Sequence, residues 1–283
     1  MNVIVTGGSG YLGTHIRKYF DAADLSRRSG GDVLDRTDVK QVADYDLVIH
    51  LAAKLDKTAE NAEAVFETNV SGTVNVLRNV RPDAAFVFAS TKDVYGRFAD
   101  QFECVPESCP TAYAGQSALE WSDLIAERFV EYYAATLGFR ACIFRLSSVF
   151  APPTEGNAPG FIGHYANAIN MGERIRLPAG GRPVRDILCV DDVSRACEEF
   201  AGSVIRNGLY NLGGGPENAF SLSEIVSKLE SISGLQALID EEPLPDPVPM
   251  RYVSDLSLVT RELGWRPTRD LDRELAKLFP GMI

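Results

Sequence analysis

Asn2-Val3-Ile4-Val5-Thr6-Gly7-Gly8-Ser9-Gly10-Tyr11-Leu12-Gly13 decides the fold. A short apolar run that ends in glycines reads as a buried strand. Tyr11 to Phe20 then reads as a helix, so the turn between carries the spacing Gly7-x-x-Gly10-x-x-Gly13. Glycine is needed where backbone approaches a pyrophosphate and where a helix packs closely on a strand. The free N–H groups and dipole of the helix start then hold the phosphate charge. In this strand–turn–helix setting the turn predicts dinucleotide binding.

Outward from that turn, strands and helices alternate. Ala23 to Arg27 and Asp46 to Leu51 read as strands, and Phe66 to Val80 as a helix with Val70, Val74 and Leu77 on one face. Ala85 to Ala89 suits a strand buried on both sides. A long helix runs to Leu137 and stops at Gly138, and Ala141 to Leu146 forms a further strand. The alternation predicts an α/β chain with a Rossmann-type, doubly wound parallel sheet. After Phe150 the texture changes. Ala151 to Gly160 is loop-like, the elements shorten, and the proline-rich stretch from Glu241 to Pro249 reads as an extended connector. The expected division is a dinucleotide-binding domain over 1–150 and, over 151–283, a smaller and mainly substrate-binding lobe, interleaved with the end of the sheet.

The 283 residues carry 28 Lys plus Arg against 39 Asp plus Glu, a net charge of −11. That balance argues against nucleic acid as a partner, since phosphate backbones need clustered cations. It leaves room for an anionic small ligand, which a few Arg forks suffice to hold. Five cysteines without a C-x-x-C pair and three histidines without helical pairing give no metal-ligand pattern. Cys142 and Cys189 lie in apolar runs and read as buried. No apolar stretch reaches the ~20 residues of a membrane span. The chain starts directly in a strand-like run without a basic leader, so the expected compartment is the reducing cytoplasm.

The end of the second strand bears on the cofactor. A carboxylate there usually accepts from the ribose hydroxyls of NAD, whereas Arg accommodates the 2′-phosphate of NADP. The sequence reads Leu25-Ser26-Arg27-Arg28, two cations and no carboxylate. NADP is therefore expected, with NAD possible.

Further segments fall into line with the turn: Gly31-Asp32-Val33-Leu34-Asp35, His50-Leu51-Ala52-Ala53, Asn69-Val70-Ser71-Gly72-Thr73, Ser90-Thr91 followed by Val94-Tyr95-Gly96, Arg185-Asp186 before Val190-Asp191-Asp192-Val193, Tyr210-Asn211-Leu212-Gly213 and Leu263-Gly264-Trp265-Arg266-Pro267. With TGGSGYLG, these make the chain resemble the extended short-chain dehydrogenase/reductases. That is the NAD-dependent epimerase/dehydratase family, which works mostly on nucleotide-linked sugars. The resemblance covers nearly the whole chain in the right order. It implies that Gly7, Gly10, Tyr11, Leu12 and Gly13 cradle the cofactor, with Ser26, Arg27 and Arg28 at its ribose and Asp32 and Val33 at its adenine. Leu51, Ala52 and Ala53 line the pyrophosphate and nicotinamide ribose. Asn69 falls on the family's helix position near the active site, and Asn69 and Ser90 are counted with Asp123 among the cofactor-binding residues. Thr91 falls on the catalytic Ser/Thr that donates a hydrogen bond to the reacting oxygen. Arg185 falls on an Arg that binds the substrate diphosphate. Ser148 stands where many relatives carry a substrate-binding Asn. Relatives often dimerise through the long helix, and Phe129, Tyr132 and Tyr133 offer such a face for a homodimer, or belong to the core.

The pattern breaks at the chemistry. The family uses Tyr-x-x-x-Lys on the long helix, where Lys lowers the Tyr pKa and holds the nicotinamide ribose. Tyr113 follows Pro110, but Ser117 stands four residues on. Read back from Gly138, Ser122-Asp123-Leu124-Ile125-Ala126-Glu127 overlays the usual Ser-Lys-x-x-x-Glu. This register is preferred. It puts Leu119 at the Tyr place and Asp123 at the Lys place, within reach of the cofactor ribose. The six-residue offset is ~9 Å of helix, so Tyr113 is expected well up the helix or on an entrance loop. Neither register supplies the lysine, and an unassisted Tyr keeps a pKa of about 10. Lys54, Lys92 and Tyr113 are the candidate replacements. Three functions stay open: hydride-transfer chemistry on a nucleotide-linked sugar, a non-catalytic NADP(H)-binding sensor or scaffold, and a reductase of a non-sugar ketone.

Overall fold

In the computed structural model, which describes residues 1–245 and 248–279, a parallel six-stranded sheet runs in the order β2-β1-β3-β4-β5-β9. Its first half is β1 (Val3–Thr6), α1 (Tyr11–Phe20), β2 (Ala23–Leu25), β3 (Leu47–His50), α2 (Ala62–Phe66), α3 (Thr73–Leu77), β4 (Ala85–Thr91), α4 (Ala118–Leu137) and β5 (Arg140–Leu146). The fold is the Rossmann-type sheet with flanking helices that the sequence predicts. β2 is shorter than expected because Ser26 ends it and Arg27–Ser29 coils into a 3-10 turn. β4 runs two residues further than expected and ends on Thr91.

Between α2 and α3 the helix widens into a π-turn, Glu67–Gly72. That extra width changes the buried face. Val65, Asn69, Thr73 and Val76 point inward, while Val70 and Val74 are only half-buried. Of the expected face Leu77 is buried, while Val70 and Val74 give way to Asn69, Thr73 and Val76, which places a buried Asn behind the active-site wall.

The α4 start is fixed locally. Ser117 and Glu120 form a reciprocal capping box, and Gly138 closes the far end at φ +87°. Ser117→Ala is expected to cost about 1 kcal/mol of stability, read as a lower urea midpoint at unchanged slope.

The second half contributes β6 (Ser148–Phe150), α5 (Phe161–Met171), β7 (Arg174–Pro178), β8 (Val184–Cys189), α6 (Val190–Gly202), β9 (Asn207–Leu212), β10 (Ala219–Ser221), α7 (Leu222–Ser233), β11 (Leu238–Glu242), β12 (Arg251–Tyr252), α8 (Ser257–Leu263) and α9 (Leu271–Ala276). β9 returns to the main sheet beside β5, and α6 packs on α1. A separate apolar core joins α5, α7 and α9 around Phe150, Ile169, Ile225 and Leu275. In the proline-rich stretch Glu241 and Glu242 belong to β11, which pairs with β7; 246 and 247 lie outside the described residues. Cys142 and Cys189 are buried as expected. No helix among the described residues is long and apolar enough to cross a membrane.

Candidate cofactor and active site

The glycine turn is built for close approach. Gly7 sits at φ +70°, and its carbonyl accepts from the Gly10 N–H at 2.9 Å. A Cβ on Gly13 would lie 2.1 Å from that carbonyl oxygen. Side chains here would fill the space between β1 and α1, and their absence lets the first N–H groups of α1 face outward. Over the turn runs one cleft of about 440 Å³.

That cleft gathers most of the expected cofactor residues. Gly7, Gly10, Tyr11, Leu12 and Gly13 form its floor. Ser26, Arg27, Arg28, Asp32 and Val33 line one end, and Leu51, Ala52 and Ala53 one wall. Ser90, Thr91 and Asp123 line the other end. These residues fit a dinucleotide. Asn69 is the exception: it is buried behind the wall, where its amide binds the backbone of Lys54 and donates to Ser122 Oγ at 2.9 Å. It holds the loop after β3 against α4 rather than meeting the cleft. His50 works in the same way. Its ring bridges Thr6 and Thr73 at 2.7 and 2.8 Å, and burial pushes its pKa down to about 3, so it stays neutral.

The ribose end holds a group that the sequence reading missed. Asp24 lies within β2, and its nearly buried carboxylate accepts from the hydroxyls of Ser9 and Ser26 beneath the turn. Its other oxygen, Oδ1, has no partner. Asp24 lies beneath the turn rather than in the cleft lining, so the Leu25-Ser26-Arg27-Arg28 end of the strand itself presents no carboxylate to the cleft. The acid was hidden because it stands one residue before the strand's last position, and only register with β1 turns it under Gly8. The two arginines also differ. Arg28 donates to Ser9 O, Asn157 Oδ1 and Gly156 O, tying the loop after β6 to the rim. The Arg27 side chain is exposed at the rim, with no hydrogen bond or ion pair among the described residues.

At the opposite end, Thr91 Oγ1 accepts from the Asp93 N–H at 3.1 Å. Asp93 binds two ammonium groups, Lys92 and, at 3.3 Å, Lys57. Lys57 also meets Glu120 at 2.6 Å. Burial pushes the Asp93 carboxyl up, but the two lysines outweigh it and hold it below the usual range. Burial lowers Lys57, and Asp93 and Glu120 outweigh that, so it stays charged. Burial also raises the Asp123 carboxyl well above its ordinary value, reinforced by Glu127, Glu120 and Asp93. Lys57 was invisible to motif reading, because its partners lie in the turn after β4 and at the start of α4.

The other candidates are placed as follows. Lys92 is nearly buried and stands 5.2 Å from the Tyr252 ring centroid. Lys54 binds Asn69 through its backbone and, unlike Ala53 and Leu55, does not line the cleft. Tyr113 is 69% exposed, stacks on Trp121 and stands outside the cleft lining, which corrects the expectation of a spare catalytic phenol. Ser148 is buried on β6. Arg185 is buried, with its guanidinium donating to the carbonyls of Val184 and Pro249 at 2.6 and 2.9 Å. Among the described residues one trio has metal-like spacing, Cys189, Asp191 and Glu274. Its acids are already paired with Arg269 and Lys277.

Comparison with known proteins adds the family. Residues 3–213 match the model of the NAD dependent epimerase/dehydratase family. The chain is 26% identical to CDP-paratose 2-epimerase of Salmonella typhi, over 99% of this chain and 98% of that protein. It is 29% identical to dTDP-glucose 4,6-dehydratase of Mycobacterium tuberculosis, over 94% and 88%. Among solved structures, UDP-glucose 4-epimerase of Thermotoga maritima with UDP-glucose superposes at TM-score 0.87 with 21% identity, covering 98% and 97%. The Thermus thermophilus UDP-glucose 4-epimerase complex with NAD gives 0.82 with 23% identity, covering 98% and 97%. A Rossmann-type sheet whose first turn is a glycine cradle defines the class of fold. More narrowly, the chain belongs to the NAD dependent epimerase/dehydratase family, among the extended short-chain dehydrogenase/reductases.

Proposed function

We propose that the protein is an NADP(H)-dependent enzyme that moves a hydride to or from a nucleotide-linked sugar. The single observation that carries this is the continuous cleft from the glycine turn to Thr91 and Asp123. When bound there, the nicotinamide supplies the hydride acceptor or donor. The α1 N-terminus holds the pyrophosphate, Asp32 and Val33 flank the adenine, and Thr91 donates to the reacting oxygen. Arg185 on β8, with the lobe built on α5, α7 and α9, receives the nucleotide-sugar diphosphate, and Ser148, on β6 paired with β8, contacts the substrate. The relatives named above, which carry CDP-, dTDP- and UDP-sugars in their names, support that substrate class.

Arg27 favours NADP, because a guanidinium without an intramolecular partner at the ribose end matches a 2′-phosphate. Arg27→Ala is expected to weaken NADP binding about 10-fold, the low end for one charge-assisted hydrogen bond, and to leave NAD affinity unchanged. Calorimetry with both dinucleotides checks this, and equal losses for both would refute it. The reaction is tested by adding UDP-, GDP-, CDP- and dTDP-sugars to protein loaded with NADP and following nicotinamide absorbance. Leu119 at the place of the family's Tyr favours a second reading, an NADP(H)-binding protein without turnover. Tight NADP(H) binding with no absorbance change for any sugar selects it. We place the protein in the cytoplasm. Tyr132, 60% exposed on α4, is the proposed homodimer contact.

A further inference from the structure

The family's phenol and ammonium are replaced on α4 by Leu119 and Asp123, so the proton must travel by another group. We propose that Asp123 carries it, with Lys57 as the cation that faces it, so that a carboxyl and an ammonium drawn from α4 and from the loop after β3 replace the missing pair. This rests on the hydride-transfer reading above.

The placement supports both roles. Asp123 is 7% exposed, yet it lines the cleft beside Ser90 and Thr91. Its carboxyl has no hydrogen bond or ion pair among the described residues, so its oxygens are not already committed. The charged groups around it are Glu120 and Glu127 from α4, Asp93 from the turn after β4 and Lys57 from the loop after β3. Lys57 is held 2.6 Å from Glu120 and 3.3 Å from Asp93, with half of its side chain exposed. Lys92 is buried against Asp93 and the Tyr252 ring. Of the two lysines on Asp93, Lys57 is the more exposed, beside the cleft lining rather than in it.

The step balances. In oxidation the substrate O–H bond breaks and its proton passes to the Asp123 carboxylate. The C–H bond breaks with both electrons going as hydride to the oxidised nicotinamide dinucleotide. In reduction the carboxylic acid returns the proton to the carbonyl oxygen as hydride arrives. General acid–base transfer is most effective when the carrier's pKa lies near the working pH. A phenol must be brought down to reach that range and a carboxyl must be brought up. Burial among three acids raises this carboxyl.

The test has a readout independent of turnover. Carboxyl ¹³C NMR, with the Asp123 signal identified by its loss in Asp123→Asn, is titrated in the protein alone and with NADPH. Asp123 is expected to titrate well above the ordinary aspartate value. Lys57→Met, which removes the facing cation, moves that titration further up. Glu120→Gln, which removes an acid and releases Lys57, moves it down. A carboxyl that these charges do not reach would show neither shift, and proton carriage itself is read from the rates of the Asp123 variants. Asp123→Asn is expected to lower hydride transfer by about 10²- to 10⁴-fold with NADPH binding retained, and Asp123→Glu to recover part of it. Folding should survive, because the amide mimics the neutral carboxyl. The native pKa lies above the unfolded one, so ionisation favours the unfolded chain as pH rises between them, and the Asn variant loses less stability across that window. Asp123 titrating at the ordinary value, or Asp123→Asn turning over like the unmodified protein, overturns the inference alone. An unmodified protein inert toward every nucleotide sugar overturns the hydride-transfer reading and the inference with it.

Discussion

Gly13→Ala abolishes dinucleotide binding. The added Cβ would stand 2.1 Å from Gly7 O and 2.9 Å from both the Gly7 carbonyl carbon and the Gly8 Cα. Those are backbone atoms, so no side-chain rotation relieves the clash. Nor can Gly7 retreat, since its own Cβ position is 2.9 Å from the Ala52 nitrogen and its φ is +70°. The turn must open by moving α1 away from β1, and that separates the α1 N–H groups from the phosphate they were placed to meet. Overpacking of this kind costs about 1–3 kcal/mol in the protein itself. The larger loss falls on the ligand. A ligand at 100 times its Kd stabilises its protein by about 2.7 kcal/mol, and a protein that no longer binds gains nothing. Thermal melts with and without saturating NADPH check the claim: a rise for the unmodified protein and none for Gly13→Ala. Gly30→Ala is the control. Gly30 is also left-handed, at φ +89°, but no atom lies within 4 Å of its Cβ position. It should lose stability and keep the NADPH response. A normal melting rise in Gly13→Ala would refute the cradle.

What the sequence discloses here follows the range of the interactions. The glycine turn, the α1 limits and the Gly138 cap depend on residues a few positions apart, and all were readable. The sequence, through Ser122 and Glu127 on the same helix, points to Asp123 as a cleft residue, and Asp123 lines the cleft. Lys57 was not readable, since its partners stand 36 and 63 positions away and single lysines on a loop carry no pattern. Arg28 shows the same limit. Its acceptors at Gly156 and Asn157 lie across the loop after β6, so an arginine assigned to cofactor alone also fastens that loop. Asp24 and Asn69 fail for a subtler reason. Each was within a legible motif or strand, but strand register and a π-turn decide which way such a side chain faces.

Glu127→Ala is expected to cost about 3–5 kcal/mol, the range for stranding one member of a buried ion pair. Glu127 is fully buried and Arg145 nearly so. The carboxylate accepts from Arg145 at 2.9 and 2.6 Å and from Ser90 Oγ at 2.6 Å. The guanidinium continues to Tyr95 Oη at 3.0 Å, and Tyr95 donates to Asn211 Oδ1 at 2.7 Å. One connected set thus joins β4, α4, β5 and β9 directly behind the active end of the cleft. Burial alone would lower the Arg145 pKa, and Glu127 outweighs it; without the carboxylate the guanidinium, which does not deprotonate in proteins, is left buried and without its anion. A domain with about 5–15 kcal/mol in total loses a large share of its stability. The double variant Glu127→Leu with Arg145→Met removes both charges and should recover most of the loss, because apolar replacement of a buried pair is often neutral. Urea unfolding of Glu127→Leu, of Arg145→Met and of the double closes the cycle, with Glu127→Ala measured beside them. If Glu127→Ala falls within about 1 kcal/mol of the unmodified protein, the pair is not what holds α4 to the sheet. Function should respond as well. Ser90 lines the cleft and Glu127 is one of the acids that raise Asp123. Glu127→Gln, which keeps an acceptor for Ser90 and drops the charge, should therefore move the Asp123 titration down. Coupling between core and chemistry then appears as a shift in the pH profile, separable from the loss of stability measured in urea.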